Sequence, residues 1–212
     1  MAYKFALKAN YEDYASGRVI YHQGGLSTFP VRLASEIFLR ALAHHEKKEG
    51  LTLYNPLCGE GYMLTVLGLL HGECLNKIVG SDINSEALET ATKNLSLLEI
   101  TGLNTRKAQL STLLETYQKD SHQDALQSME RFIEKRGVRK HELKSTLFQA
   151  DLLKEEALAQ ADFQPDIIIT DLPYGNMTNW QGGKENAIPL FLENISTLLQ
   201  PTSVVAIAFD KS

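Results

Sequence analysis

From Leu51 to Phe209, short apolar runs alternate with runs whose apolar residues recur every three or four positions. That alternation predicts strands joined by helices, and such strands pair in parallel with both faces of the sheet covered. The strands are expected at Leu51–Asn55, Lys77–Asp82, Thr146–Asp151, Asp166–Asp171 and Ser203–Phe209. Helices are expected at Leu33–His44, with Pro30 as a good first-turn residue, and at Tyr62–His71, Glu155–Gln160 and Ala187–Leu199. A further helix begins at Asn84 as N-cap and gathers Ala87, Leu88, Ala91, Leu95 and Leu98 on one face. Gly17–His22 reads as a short edge strand. The regularity breaks from about Gly102 to Leu143, a polar, helix-prone stretch that reads as one or two inserted helices ending near Gly137.

With 212 residues, 43% of them hydrophobic, the chain can bury one substantial core. The expectation is a single domain over 1–212, with 1–50 as an N-terminal segment and helix and 103–144 as the helical insertion. No apolar run approaches the roughly 18 residues that a membrane span needs. The start, MAYKFALKANYEDY, has no apolar core or cleavage site of a signal peptide. Cys58 and Cys74 are isolated, which supports neither a disulfide framework nor a zinc site, so a reduced cytoplasmic protein without metal is expected. The net charge of −5 counts against a protein that coats nucleic acid generally and permits one local patch. Arg131–Lys144 carries six Lys/Arg against two Glu; it reads as a solvated helix face or as an RNA contact.

In an open α/β sheet, ligands sit beyond the carboxyl ends of the strands, where the strand order reverses. Four strand ends carry informative residues. Asn55-Pro56-Leu57-Cys58-Gly59-Glu60-Gly61 places two glycines at a strand-to-helix turn, suited to close backbone approach or simply to turning. Leu64 stands where a dinucleotide fingerprint has its third glycine, which disfavours NAD or FAD and permits a smaller adenosyl ligand. Asp82, twenty-one positions after Gly61, suits a ribose diol, with helix capping as the alternative. Asp151 suits an adenine amine, with an ordinary N-cap as the alternative. Asp171-Leu172-Pro173-Tyr174 ends a buried strand in a stiff turn with a carboxylate acceptor and an aromatic face. It suits a clamp on a planar base amine; its plainer reading is a turn with a surface tyrosine.

Gly59-x-Gly61, Asp82, Asp151 and Asp171-Leu172-Pro173-Tyr174, in this order, resemble the nucleic-acid amino-methyltransferases of class I, which use S-adenosyl-L-methionine. The blocks FPVRLASEIFLRALA, NPLCGEGYMLTVLGLLH, SDINSEALETATKNLSLL and TDLPYGNMTNW resemble the avilamycin-resistance ribosomal RNA methyltransferase family, AviRa, from roughly Gly17 to Asp210. The resemblance implies a Rossmann-like α/β fold: a mostly parallel sheet flanked by helices, with the helical insertion between the second helix and third strand. It implies methylation of a guanine amine in 23S rRNA or the large ribosomal subunit, no metal, and a link to orthosomycin resistance. Asn55, Cys58, Gly59 and Gly61 would cradle the methionine part, Asp82 the ribose and Asp151 the adenine. Asp171, Leu172, Pro173 and Tyr174 would hold the target base, and Arg32 is a candidate for the cofactor carboxylate or an RNA phosphate. Two departures stand out: Asn55 replaces the family's usual Asp, and the chain stops at Ser212, without the last two strands of such a sheet.

The chemistry follows from the base itself. An exocyclic amine is a poor nucleophile because its lone pair is delocalised; accepting its N–H groups on Asp171 favours the tetrahedral nitrogen. The transfer is then governed by positioning and electrostatics. The four-residue pattern equally fits an adenine-N6 methyltransferase, and Asn55 with the early chain end fits a non-catalytic cofactor- or RNA-binding module.

Overall fold

The computed structural model describes residues 3–23, 28–172 and 187–209. Five strands, β1 (Leu51–Asn55), β2 (Leu75–Asp82), β3 (Lys144–Gln149), β4 (Ile167–Asp171) and β5 (Val204–Ala208), form one sheet in the order β3-β2-β1-β4-β5. Every pairing is parallel. The order reverses between β1 and β4, which sets a crevice at their carboxyl ends.

Strands buried on both faces need two cores, and two are present. On one face, Leu51, Leu53, Ile78, Ile167 and Ile169 meet helices α1 (Val31–His44), α2 (Tyr62–His71) and α3 (Ser85–Ser96). On the other, Tyr54, Val79 and Ile168 meet Leu152, Leu158, Leu172 and helix α6 (Ala187–Ser196). α2 is apolar almost all round and buries seven consecutive residues, Met63 to Leu69, as a helix enclosed between sheet and neighbours must. α3 starts as its sequence predicts: the Asn84 side chain accepts from the Glu86 and Ala87 N–H groups.

The insertion is a hairpin of two helices, α4 (Ile100–Tyr117) and α5 (Asp120–Val138). Leu103, Leu110, Ala125, Met129 and Phe132 join the first core, and the segment before α1 is held between that hairpin and α3. Arg106 donates to the Val19 carbonyl at 2.9 Å, Arg131 grips Asp13 with two nitrogens, and Arg18 meets Asp124 at 3.3 Å.

Two expected elements are absent. Gly17–His22 is no strand; only a single bridge joins Ser16 and Ile20. The buried Asn94 side chain satisfies this stretch instead, accepting from the Tyr21 N–H at 2.8 Å and donating to its carbonyl at 3.0 Å. Glu155–Gln160 is a chain of turns rather than a helix, with Glu156 at φ 55°. A run this short lacks the length to sustain a helix, and Asn194 of α6 ties down the chain there and just before it from outside. That amide donates to the Leu152 and Lys154 carbonyls and accepts from the Ala157 N–H.

Candidate active site

The turn after β1 is built by its own short-range bonds. The Asn55 side chain, 3% exposed, accepts from the Leu57 N–H at 3.1 Å and so shapes the turn. Cys58 N–H reaches the Ser81 carbonyl of β2, and Gly61 N–H closes on the Cys58 carbonyl at 2.8 Å. Burial first, then the negative charge of Asp82, push the Cys58 thiol far above its ordinary range, so it stays protonated and serves as packing.

The two glycines have different duties. Gly61, at φ 70°, would place a Cβ 3.0 Å from that of Ala91, so it lets α2 start hard against α3. Gly59, at φ 51°, would place a Cβ where no atom lies within 4 Å. It is the glycine with an open flank, and its N–H donates to Asp82 Oδ2 at 2.7 Å.

Asp82 ends β2 and accepts a second N–H, from Asn84, on Oδ1 at 3.0 Å. A carboxylate offers about four lone-pair sites, so two backbone bonds leave room for a diol on this half-buried group. Asp151 lies just beyond β3. Its Oδ1 accepts from the Leu153 N–H at 3.1 Å and its Oδ2 lies 3.8 Å from Lys154 Nζ, so it shapes the turn that follows. Asp171 closes β4, and the Leu172 N–H is bonded to the Ala208 carbonyl of β5. Pro173 and Tyr174 lie outside the described residues. Gly59, Asp82 and Asp171 therefore gather at the carboxyl ends of β1, β2 and β4 around the reversal point.

Sequence reasoning missed a junction that holds this turn. Glu60, between the two glycines and 6% exposed, contacts His22 Nδ1 at 2.9 Å and accepts from the Gln23 N–H at 3.0 Å. Gln23 Nε2 donates to Thr90 Oγ1 at 2.7 Å. Asn94, besides its two bonds to Tyr21, donates to the Glu60 carbonyl at 2.8 Å. Its signal was present: Asn94 interrupts the apolar face running through Ala87, Ala91 and Leu98.

Two other cationic candidates make internal contacts. Arg32 donates to the Ala6 carbonyl through Nε and Nη2 and lies 4.0 Å from the Tyr3 ring centroid. In the basic stretch, Lys135 reaches the Leu70 carbonyl, while Arg136 and Arg139 reach the Leu98 carbonyl and Glu99. These carbonyls lie at the C-terminal ends of α2 and α3, where cations are favoured. Among the described residues no cluster of His, Cys, Asp or Glu suits a metal ion, and no helix is long and apolar enough to cross a membrane.

A parallel sheet in this order, with a glycine turn after β1 and acids closing β2 and β4, defines a Rossmann-like class I methyltransferase. The chain belongs to the rRNA methyltransferase AviRa family, whose family model matches residues 1–212. A 23S rRNA (guanine(2535)-N(1))-methyltransferase of Streptomyces viridochromogenes is 38% identical over 211 residues, covering 97% of this chain and 84% of that protein. The solved structure of rRNA methyltransferase AviRa from the same organism at 1.5 Å superposes with a TM-score of 0.91 at 36% identity. That match covers all of this chain and 87% of the other. A second structure of that enzyme, at 2.4 Å, gives a TM-score of 0.89 at 37% identity over 98% of this chain and 85% of its own. The atom in the relative's name is N1, the ring nitrogen next to the guanine amine named in the sequence analysis.

Proposed function

We propose that this enzyme transfers a methyl group from S-adenosyl-L-methionine to N1 of a guanine in 23S rRNA, as one methyltransferase domain spanning residues 1–212. The observation that carries this reading is the convergence of Gly59, Asp82 and Asp171 at the reversal point of the sheet, in a chain of this family. The open flank of Gly59 and the spare lone pairs of Asp82 fit an adenosyl ligand. Asp82 takes the ribose hydroxyls, Asn55, Cys58, Gly59 and Gly61 form the wall for the methionine part, and Asp151 faces the adenine. When bound, the sulfonium supplies an already activated methyl group.

Choosing N1 over the amine changes what the protein must do. N1 of guanine carries a proton, and its lone pair becomes available for bond formation only as that proton leaves. Asp171 accepts it: the N1–H bond breaks toward the carboxylate, the N1–CH3 bond forms as the S–CH3 bond breaks and the sulfur leaves as the neutral thioether of S-adenosylhomocysteine, and the proton passes on to water. Leu172, Pro173 and Tyr174 hold the base, and stacking on Tyr174 offsets part of the cost of taking it out of its helix. The setting is the cytoplasm, where the large subunit is found, and the biological outcome is resistance to an orthosomycin such as avilamycin.

The test is transfer of labelled methyl from S-adenosyl-L-methionine to 23S rRNA, followed by nucleoside mass analysis with chromatographic separation of N1- from N2-methylguanosine. Label in N1-methylguanosine is expected. Label in N2-methylguanosine or N6-methyladenosine replaces the target atom, and no transfer to rRNA or subunits overturns the reading. Susceptibility of deletion and wild-type strains to avilamycin tests the resistance role separately.

A further inference from the structure

The buried carboxylate of Glu36, in α1, is fully shielded from solvent and accepts three consecutive backbone N–H groups, from Lys4 at 2.8 Å, Phe5 at 2.8 Å and Ala6 at 2.7 Å. Arg40 adds a charged partner at 2.7 Å, and Arg32 holds the Ala6 carbonyl from the other side. This is firm anchoring for a segment with one fully buried residue. Ala6 is buried, while Tyr3, Phe5 and Leu7 keep 41%, 37% and 81% of their surface exposed. The anchoring therefore orders what the segment displays outward.

What it displays is aromatic and cationic. The Arg32 guanidinium lies over Tyr3 at 4.0 Å, and Lys4 Nζ lies 5.2 Å from the Phe5 ring centroid. Arg40 is balanced by Glu36, which leaves Lys4, Lys8 and Arg32 as a local excess of positive charge on a protein of net charge −5. Flat rings interleaved with cations, held in place in advance, match single-stranded nucleic acid, whose bases stack and whose phosphates are anionic.

The location fits the site. Beyond the end of α1, His45 and Lys47 approach Asp166 at the start of β4, so α1 runs antiparallel to that strand. A 14-residue helix rises about 21 Å, which carries its first turn, with Arg32, to the carboxyl end of β4. That is the end Asp171 closes.

We infer that Tyr3, Phe5, Lys4 and Lys8 form a preformed stacking platform that docks unpaired RNA nucleotides flanking the target base, an inference that rests on the proposed rRNA activity. The experiment measures binding of a single-stranded RNA oligonucleotide by fluorescence anisotropy across a salt series, with methyl transfer to 23S rRNA in parallel. Tyr3→Ala/Phe5→Ala is expected to weaken binding about 10-fold to 100-fold with the salt slope unchanged, the loss expected when a base no longer stacks. Lys4→Gln/Lys8→Gln is expected to lower the salt slope by about 0.7 per charge removed. Both should raise KM for rRNA while kcat and S-adenosylhomocysteine affinity hold, and both should melt as the wild type does. Folded variants that bind RNA like the wild type, from a parent that methylates 23S rRNA, overturn the platform alone. Loss of self-association with unchanged RNA affinity assigns the face to a second copy and overturns it equally. A wild-type protein that binds the oligonucleotide through these residues but methylates no rRNA keeps the platform and overturns the proposed activity.

Discussion

Asp82 joins two strand ends through single bonds to the Gly59 and Asn84 amides, so the side chain proposed to hold the ribose also holds the turn facing it. Replacing it with alanine removes both functions together. Hydrogen bonds to a charged acceptor contribute roughly 1.5–3 kcal/mol, so Asp82→Ala should weaken S-adenosylhomocysteine binding about 10-fold to 100-fold in calorimetry. Asp171 should separate from it. If it accepts the N1 proton, Asp171→Ala lowers kcat by about 10²–10⁴, the usual weight of a positioned base, and leaves S-adenosylhomocysteine affinity unchanged. Equal loss of both in single-turnover and binding measurements would place Asp171 in cofactor binding instead. That Asp82 and Asp171 close strands, and that Gly59 lies in the turn after one, was legible because each is read from the strand pattern beside it. Glu60 was not: a carboxylate between two glycines looks solvated until His22 and Gln23 are folded onto it.

At the scale of elements, Asn94 is the point where the N-terminal segment, the glycine turn and α3 meet. Its Oδ1 and Nδ2 serve Tyr21 and Glu60, and it is fully buried. Asn94→Ala leaves those backbone groups without partners, a cost of about 1–3 kcal/mol and hence a fall of several degrees in Tm. The Asp13–Arg131 pair, by contrast, is bidentate but half exposed. A double-mutant cycle on it should return about 0.2–1 kcal/mol, and less in high salt. The helix Tyr62–His71 and the Asn84 cap were legible because periodicity and capping are local signals. Glu155–Gln160 and Gly17–His22 were not, because their backbone groups find partners on Asn194 and Asn94, which lie 37 and 73 residues away. The basic stretch is largely the solvated helix face that its sequence suggests, but the bonds of Lys135, Arg136 and Arg139 to helix ends were hidden until the tertiary fold brought those ends near.

For the whole molecule, two buried groups set the response to acid. Desolvation raises the Glu36 pKa, but the amides of Ala6, Lys4 and Phe5 with Arg40 outweigh it and hold the carboxyl at about 2. Burial, aided by Lys135, lowers His71 to about 4. In both cases the unfolded chain binds the proton more readily, so stability rises with pH through each window. The His71 contribution is complete above about pH 6.5 and is lost as pH falls to about 4. The Glu36 contribution is complete above about pH 4.5 and is lost as pH falls toward 2. Urea midpoints measured from pH 7 to 3 should therefore decline in two stages, His71→Gln flattening the first and Glu36→Gln the second. The helical hairpin that clamps the N-terminal segment also imposes a schedule on synthesis. Asp13 leaves the ribosome 118 residues before its partner Arg131. At about 5–20 residues per second that is a wait of roughly 6–24 s. Val19 and Ile20, fully buried in the fold, spend that interval uncovered. The newborn chain thus presents an apolar stretch throughout that wait, long enough for a chaperone to be its first partner.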